Sequence, residues 1–354
     1  MPINARLLTL AREARELSQT TLAERAGLSQ ALLSRFENGL REPSDEQLAA
    51  LASHLNYPAS LFQQPDEPVP LPLTFHRKRA KLSKTAQDRI HAQMNFAVMH
   101  VERLLRSVEL DTDLELRPAD PEEFGSAANI ARSLRAFWQV PHGPVGDLAA
   151  LAERAGVVVI VTDIGTDDLS GFSVWKHGGR PLVLVNARKP ADHQRHTLAH
   201  ELGHIVMHHR ALVSEATDIE KQADEFAAEF LMPEADIRPQ LEGRIDLAKL
   251  AALKPVWRVS IASLLMRAGT LGLVSTRYRT YLWMMLGRSG YRQREPQELD
   301  FPPERPHLLR DLFEYHVKEL GYSEQEIGAL LHHEPNEIRA FYFNTPTAGL
   351  RMVT

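Results

Sequence analysis

The chain contains no cysteine. Disulfides, thiolate zinc sites and cysteine nucleophiles are excluded at once, and the absence fits a reducing compartment. It also lacks any run of about 18–20 uncharged apolar residues, so no membrane contact of the spanning kind is expected. The opening MPINARLLTLAREARELS has no apolar core of the secretory type. Together these predict a soluble, cytoplasmic protein. There is no excess of positive charge either: 41 Lys+Arg stand against 46 Asp+Glu, a formal net charge of -5. Nucleic-acid binding would therefore have to come from local patches.

What is present is an ordinary globular composition, 44% hydrophobic and 25% charged over 354 residues. That length predicts two or three domains, because single cores rarely grow beyond about 250–300 residues. Residues 4–62 read as a compact helical unit punctuated by Ser18, Gly27, Ser29, Gly39 and Pro43. QQPDEPVPLPL (63–73) holds four prolines in eleven residues and reads as a stiff, extended connector. A basic stretch follows, with six Lys/Arg against one Asp between Phe75 and Asn95, grading into a long amphipathic helix. Two helices flank the Pro141–Pro144 break. GVVVIVTDI (156–164) is a β-branched buried strand, and 169–186 reads as a hairpin across Gly178-Gly179. Beyond about residue 219 the chain is mostly helical, with a turn-rich break at 290–306.

HTLAHELGHIVMHH (196–209) carries five of the sixteen histidines. On a helix, residues four apart share a face, so His200 and His204 point the same way. Two such imidazoles can ligate one zinc ion, and Glu201 then sits beside the metal, placed to take a proton from bound water. A third ligand must be Asp, Glu or His. Glu220, in DIEKQADEFAAEFLMP, is the best placed, sixteen residues after His204; Glu225 is a fallback and Glu229 a poor one. Asp224, one turn on, suits a carboxylate that fixes the tautomer of a ligand histidine. His208 shares the face of His204 and could reach the cleft to steady an oxyanion, or simply be a solvated or capping residue. Two histidines and a carboxylate accept zinc or manganese alike.

These residues resemble the ImmA/IrrE metallopeptidases, bacterial and phage proteins with a gluzincin-like zinc site. The similarity covers about residues 140–290, including LAKLAALKPVWRVSIASLLMRAGTLGLVS (247–275). The resemblance implies His200, His204 and Glu220 as ligands and Glu201 as general base. It implies a dedicated substrate, a helix-turn-helix repressor encoded nearby, whose cleavage releases stress or mobile-element genes. DNA damage, single-stranded DNA and altered metal supply are triggers proposed for that family.

SQTTLAERAGLSQALLSRFENGLREPS (18–44) has a second signature. Gln19 opens a helix, Gly27 turns the chain, Ser29 caps the next helix, and Leu22, Ala26, Leu28, Leu33 and Phe36 close a small core. It resembles the XRE-type helix-turn-helix of phage repressors over residues 5–62. That resemblance puts Gln30, Ala31 and Arg35 at base edges in the major groove, and Gln19 and Asn38 at phosphates. Residues 1–64 hold six Lys/Arg and seven Asp/Glu, so a lone copy should bind DNA weakly. Homodimerisation or the basic stretch 77–89 would strengthen it; alternatively the module docks protein.

Two further patches stand out. Residues 275–294 carry Arg277, Arg279, Arg288, Arg292 and Arg294 with no acid, interleaved with Tyr278, Tyr281, Trp283 and Tyr291. Arginines with stacking aromatics suit a single-strand groove, here Arg277, Arg279, Tyr281 and Arg288, although a helical core would use the same aromatics. Residues 247–268 look like a second helix-turn-helix, in which Trp257 is a partner anchor if exposed and core if buried. His332 and His333 near the end read as surface residues.

The expected fold is mainly α, with an α+β gluzincin-like zinc-peptidase domain, an N-terminal five-helix XRE-like module and a helical C-terminal region. The expected divisions are 1–64, 65–110 (linker and basic helix), 111–245 (peptidase) and 246–354. The expected function is a zinc endopeptidase (manganese being the other candidate) that cleaves a helix-turn-helix repressor under stress. The competing reading is a DNA-binding regulator whose peptidase-like part senses.

Overall fold

The computed structural model describes residues 3–70, 82–209, 218–292 and 294–343. It is mainly helical with one small sheet, as expected. The first unit comprises α1 (Ala5–Ala14), α2 (Gln19–Arg25), α3 (Gln30–Glu37), α4 (Asp45–Leu55) and α5, a 3-10 turn (Ala59–Gln63). Side-chain oxygens of Asn4, Ser18, Ser29 and Ser44 cap the four α-helices, which answers the orphan N–H groups at each start. Gly27 takes the positive φ (67°) that the turn between α2 and α3 requires. Leu22, Leu33 and Phe36 are buried, and Ala26 and Leu28 are packed against them.

The next helix, α6 (Lys84–Leu104), belongs to two cores. Ala92, Phe96 and Met99 complete the helix-turn-helix core. Ile90, Met94, Ala97, Val101 and Leu104, on another face, pack on the sheet. The proline-bearing approach is bound down as well. Asn95 accepts from Val69 N (2.6 Å) and donates to Val69 O (3.1 Å), while Asp66 pairs with buried Arg103 at 2.6 Å. Of the basic stretch, Arg89 pairs with Glu16 (2.7 Å) and donates to Ile164 O (2.9 Å), and Lys84 pairs with Asp88. Arg77, Lys78, Arg79 and Lys81 lie outside the described residues.

The sheet has strands β1 (Val158–Thr162), β2 (Gly171–Val174) and β3 (Leu182–Asn186) in the order β1-β3-β2. β1 runs parallel to β3, Val158 opposite Leu182, and β2 pairs antiparallel as the expected hairpin, Phe172 opposite Leu184. Helices cover both faces, which is why the strands read as continuous apolar runs rather than alternating ones. α6 and α16 (Leu308–Lys318) lie on one face. On the other lie α9 (Leu148–Arg154) and α10 (Ala191–Met207), and α8 (Ala127–Phe137) shares their core. α7 (Pro121–Phe124) is a single turn before α8.

α11 (Ile219–Leu231) returns along α10, and α12 (Glu234–Leu241) follows it. α13 (Leu247–Trp257), α14 (Ile261–Thr270) and α15 (Thr276–Arg288) extend the same core. Trp257 is fully buried and donates to Gln240 Oε1 at 2.9 Å, so it is core and not a partner anchor. The turn after it is made by Arg258 at φ 53°. Lys254, buried on α13, reaches across to Asp192 on α10 and Glu295 (2.7 Å). Residues 246–288 are thus one core with the peptidase-like part. α17 (Glu324–Leu331) and α18 (Pro335–Tyr342) pack instead with α6 and α16. His332 and His333, read as surface residues, are half-buried: His332 bonds Ser60 (2.8 Å), and His333 sits edge-on to Tyr57 at 4.6 Å and bonds His100 at 3.1 Å. Burial pushes them down to about 4 and about 3, so both are neutral wedges between the C-terminal pair and the helix-turn-helix unit.

Candidate metal centre

α10 is buried along most of its length, including His200, Glu201 and His204. Three titratable side chains in a core are costly unless each has a partner. Their partners define the site. His200 Nε2 and His204 Nε2 lie 3.1 Å apart. Glu220, in the first turn of α11, places its carboxylate oxygens 3.5 Å from the first nitrogen and 3.3 Å from the second. Ligand atoms of His200, Glu201 and His204 all fall within 4.8 Å of one another.

The outer nitrogens fix the protons. Asp224 Oδ1 lies 2.7 Å from His200 Nδ1. A carboxylate only accepts, so that Nδ1 carries the hydrogen and Nε2 a lone pair. His208 Nε2 bonds Gln222 Oε1 (2.9 Å), which leaves His208 Nδ1 as acceptor for His204 Nδ1 at 2.8 Å. His204 therefore also turns a lone pair inward. Burial pushes His208 down to about 4, consistent with this neutral, orienting role. Two lone pairs and a carboxylate thus converge on one point. Acceptors so arranged repel one another, and a divalent cation relieves that repulsion. The donor set, two imidazoles and a carboxylate, fits zinc or manganese.

The fallback ligands point elsewhere. Buried Glu229 pairs with Arg267 and with Arg132 (2.9 Å), and Glu225 accepts from Ala128 N at 3.4 Å. Close packing of α10 on α11 brings Glu220 in. A Cβ on Gly203 would lie 3.0 Å from the Phe226 ring. Gly203, Gln222 and Ser173 were not singled out from sequence. Ser173, fully buried on β2, donates to Glu201 Oε2 at 2.7 Å. Its one sequence signal is a hydroxyl inside an otherwise apolar strand.

Residues 152–268 match the family model of the IrrE N-terminal-like domain, a peptidase family. Ahead of this metallopeptidase-like domain, residues 8–62 match the helix-turn-helix model. No curated protein matches the chain. The matched residues run from the end of α9 into α14 and include all three strands, so the centre lies wholly inside the match.

The other expected residues lie on two separate surfaces. Gln30, Ala31 and Arg35 are exposed on α3, and Asn38 is exposed just past its end. Gln19 is tied to Glu37 (2.8 Å) and to Gln30 (2.8 Å), and Arg12 braces Glu37 at 2.6 Å. Asn38 donates to Ser34 O at 2.7 Å. On α15, Arg277, Tyr281 and Arg288 are exposed at spacings of four and seven, so they share a face with Met284. Arg279 lies elsewhere, flat on Gly269 of α14. Tyr281 stacks on Tyr278 (5.9 Å), and Arg292 covers Trp283 (5.4 Å). Among the described residues no helix is long and apolar enough to cross a membrane.

Proposed function

We propose that the chain is a regulatory zinc-dependent endopeptidase that cuts a partner helix-turn-helix repressor under stress and so frees its target genes. The observation that carries this reading is the convergence of His200, His204 and Glu220 beside buried Glu201. Those three would hold zinc, with manganese the alternative, and the bound ion would polarise a peptide carbonyl and acidify a water. Glu201 would accept a proton at its carboxylate as the general base and return it to the leaving amine nitrogen. Asp224 holds His200, and His208 with Gln222 holds His204, in the tautomers that ligation needs. β2 is an edge strand packed on α10. An extended substrate segment can add along its outer edge and lie across the centre.

The exposed face of α3 supports binding of double-stranded DNA through Gln30 and Arg35, with Gln19 and Asn38 toward phosphates, and a homodimer would add the second half-site. The stripe of Arg277, Tyr281 and Arg288 supports single-stranded DNA as the trigger. A cytoplasmic location follows from such partners. The second reading, a DNA-binding regulator with a sensing peptidase-like part, is favoured by α6, which joins both cores.

The deciding experiment incubates the purified protein with the repressor encoded beside its gene, with zinc or manganese, with and without single-stranded DNA. Mass spectrometry follows cleavage. A single cut that disappears in Glu201→Gln supports the peptidase. No cut with metal bound, together with gene control that survives Glu201→Gln and is lost in Arg35→Ala, supports the regulator.

A further inference from the structure

Glu201 does not stand alone. Ser173 Oγ lies 2.7 Å from Glu201 Oε2, and His209 Nε2 lies 3.1 Å from the same Oγ. The three come from different places: Glu201 from mid-α10, Ser173 from the edge strand β2, His209 from just beyond the end of α10. Ser173 and Glu201 are fully buried.

The direction of each hydrogen bond follows from what each atom can do. An ionised carboxylate only accepts, so the Ser173 hydroxyl gives its one hydrogen to Glu201. The Ser173 oxygen is then left with lone pairs, and His209 Nε2 must be the donor. The chain of donors runs His209 Nε2–H to Ser173 Oγ–H to Glu201 Oε2. It fixes one carboxylate oxygen, Oε2, and with it the plane of the carboxylate. It also couples the base to the strand along which a substrate would lie.

We infer that Ser173 and His209 form a positioning relay that locks Glu201 in the orientation required for proton transfer. This deepens the peptidase reading and rests on it for its catalytic consequence, but the hydrogen-bond chain itself does not. Ser173 and His209 touch no substrate; they act through Glu201. A hydrogen bond to a charged group that is removed without replacement corresponds to a loss of roughly 10–100-fold in rate.

Two measurements on the full-length, zinc-loaded chain test it. Long-range proton–nitrogen correlation spectra of histidine-labelled protein read the ring tautomers. The relay requires His209 as the Nε2–H tautomer with a protected proton, and loss of that protection in Ser173→Ala. A wild-type Nδ1–H tautomer, or an unchanged His209 signal in Ser173→Ala, overturns the relay whatever the protein cleaves. Cleavage kinetics on the repressor form the second arm. Ser173→Ala and His209→Leu should lower kcat roughly 10–100-fold with KM and zinc content unchanged, and His209→Gln, which keeps a donor, should restore most of it. An unchanged kcat, or equal loss in His209→Gln and His209→Leu, also overturns the relay. A wild type that binds zinc, shows the expected tautomer and cuts nothing would sink the peptidase reading alone.

Discussion

Glu220 and Asp224 sit one turn apart on α11, yet they should respond differently to removal. Asp224 meets the outer nitrogen of His200, at 2.7 Å, and its side chain is 63% exposed. Loss of such an orienting partner weakens metal binding by about 10–100-fold, or ~1.4–2.7 kcal/mol. Water can reach the vacated Nδ1–H, so Asp224→Ala should fall near the lower end, about 10-fold. Asp224→Asn keeps an acceptor oxygen and should stay close to wild type. Glu220 faces both inner nitrogens at 3.3–3.5 Å, and as the proposed third ligand its loss would remove a donor rather than an orienter. Glu220→Ala should therefore weaken zinc by more than about 100-fold, beyond the range of an outer partner. Competition against a chromophoric chelator at neutral pH measures all three. If Glu220→Ala weakens zinc no more than Asp224→Ala, Glu220 is not a ligand and the proposed donor set is wrong.

Other consequences are open to direct measurement. Gly203→Ala gains helix propensity of about 0.5–1 kcal/mol but must push Phe226 off α10, a clash of about 1–3 kcal/mol; it should lower both thermal stability and zinc affinity. A variant more stable than wild type with unchanged zinc would show that α11 does not depend on that contact. Arg35→Ala should cost about 1–3 kcal/mol of specific duplex binding in a gel-shift series while leaving zinc content unchanged. Acid should loosen the junction at His333. Its folded pKa of about 3 lies below the usual histidine value of ~6.5, so the unfolded chain binds more protons between them. Stability from this group is intact above about 6.5 and is lost as pH falls toward 3, and the melting temperature of His333→Phe should depend less steeply on pH in that window.

Much of the centre was legible in the sequence because its logic is local. His200 and His204 share a face by helical spacing alone, and Asp224 follows Glu220 by one turn, so both pairs can be placed on paper. The orienting contacts were not legible. That Gln222 holds His208, which holds His204, depends on how α11 is rotated against α10. That Ser173 faces Glu201 depends on the register of a strand some thirty residues away. The same limit applied to α6. Its amphipathic pattern was readable, but a helix buried on two faces shows its second partner only when the fold is assembled. Trp257 illustrates the converse: exposed or buried, the sequence around it reads alike, and packing alone made it core.

Sharing α6 between two cores has a geometric consequence. A recognition helix on a loose tether would sweep a volume governed by chain statistics, and its distance from the cleft would be an average. With α6 as a common beam, α3 and the metal centre would keep one bearing and one separation. Any duplex read by α3 would meet the cleft from a single direction, so only operators presenting a bound neighbour at the matching helical phase would bring it within reach. Changing the number of base pairs between two sites would then rotate one protein around the other, and response should vary with the period of the double helix rather than fade smoothly with distance.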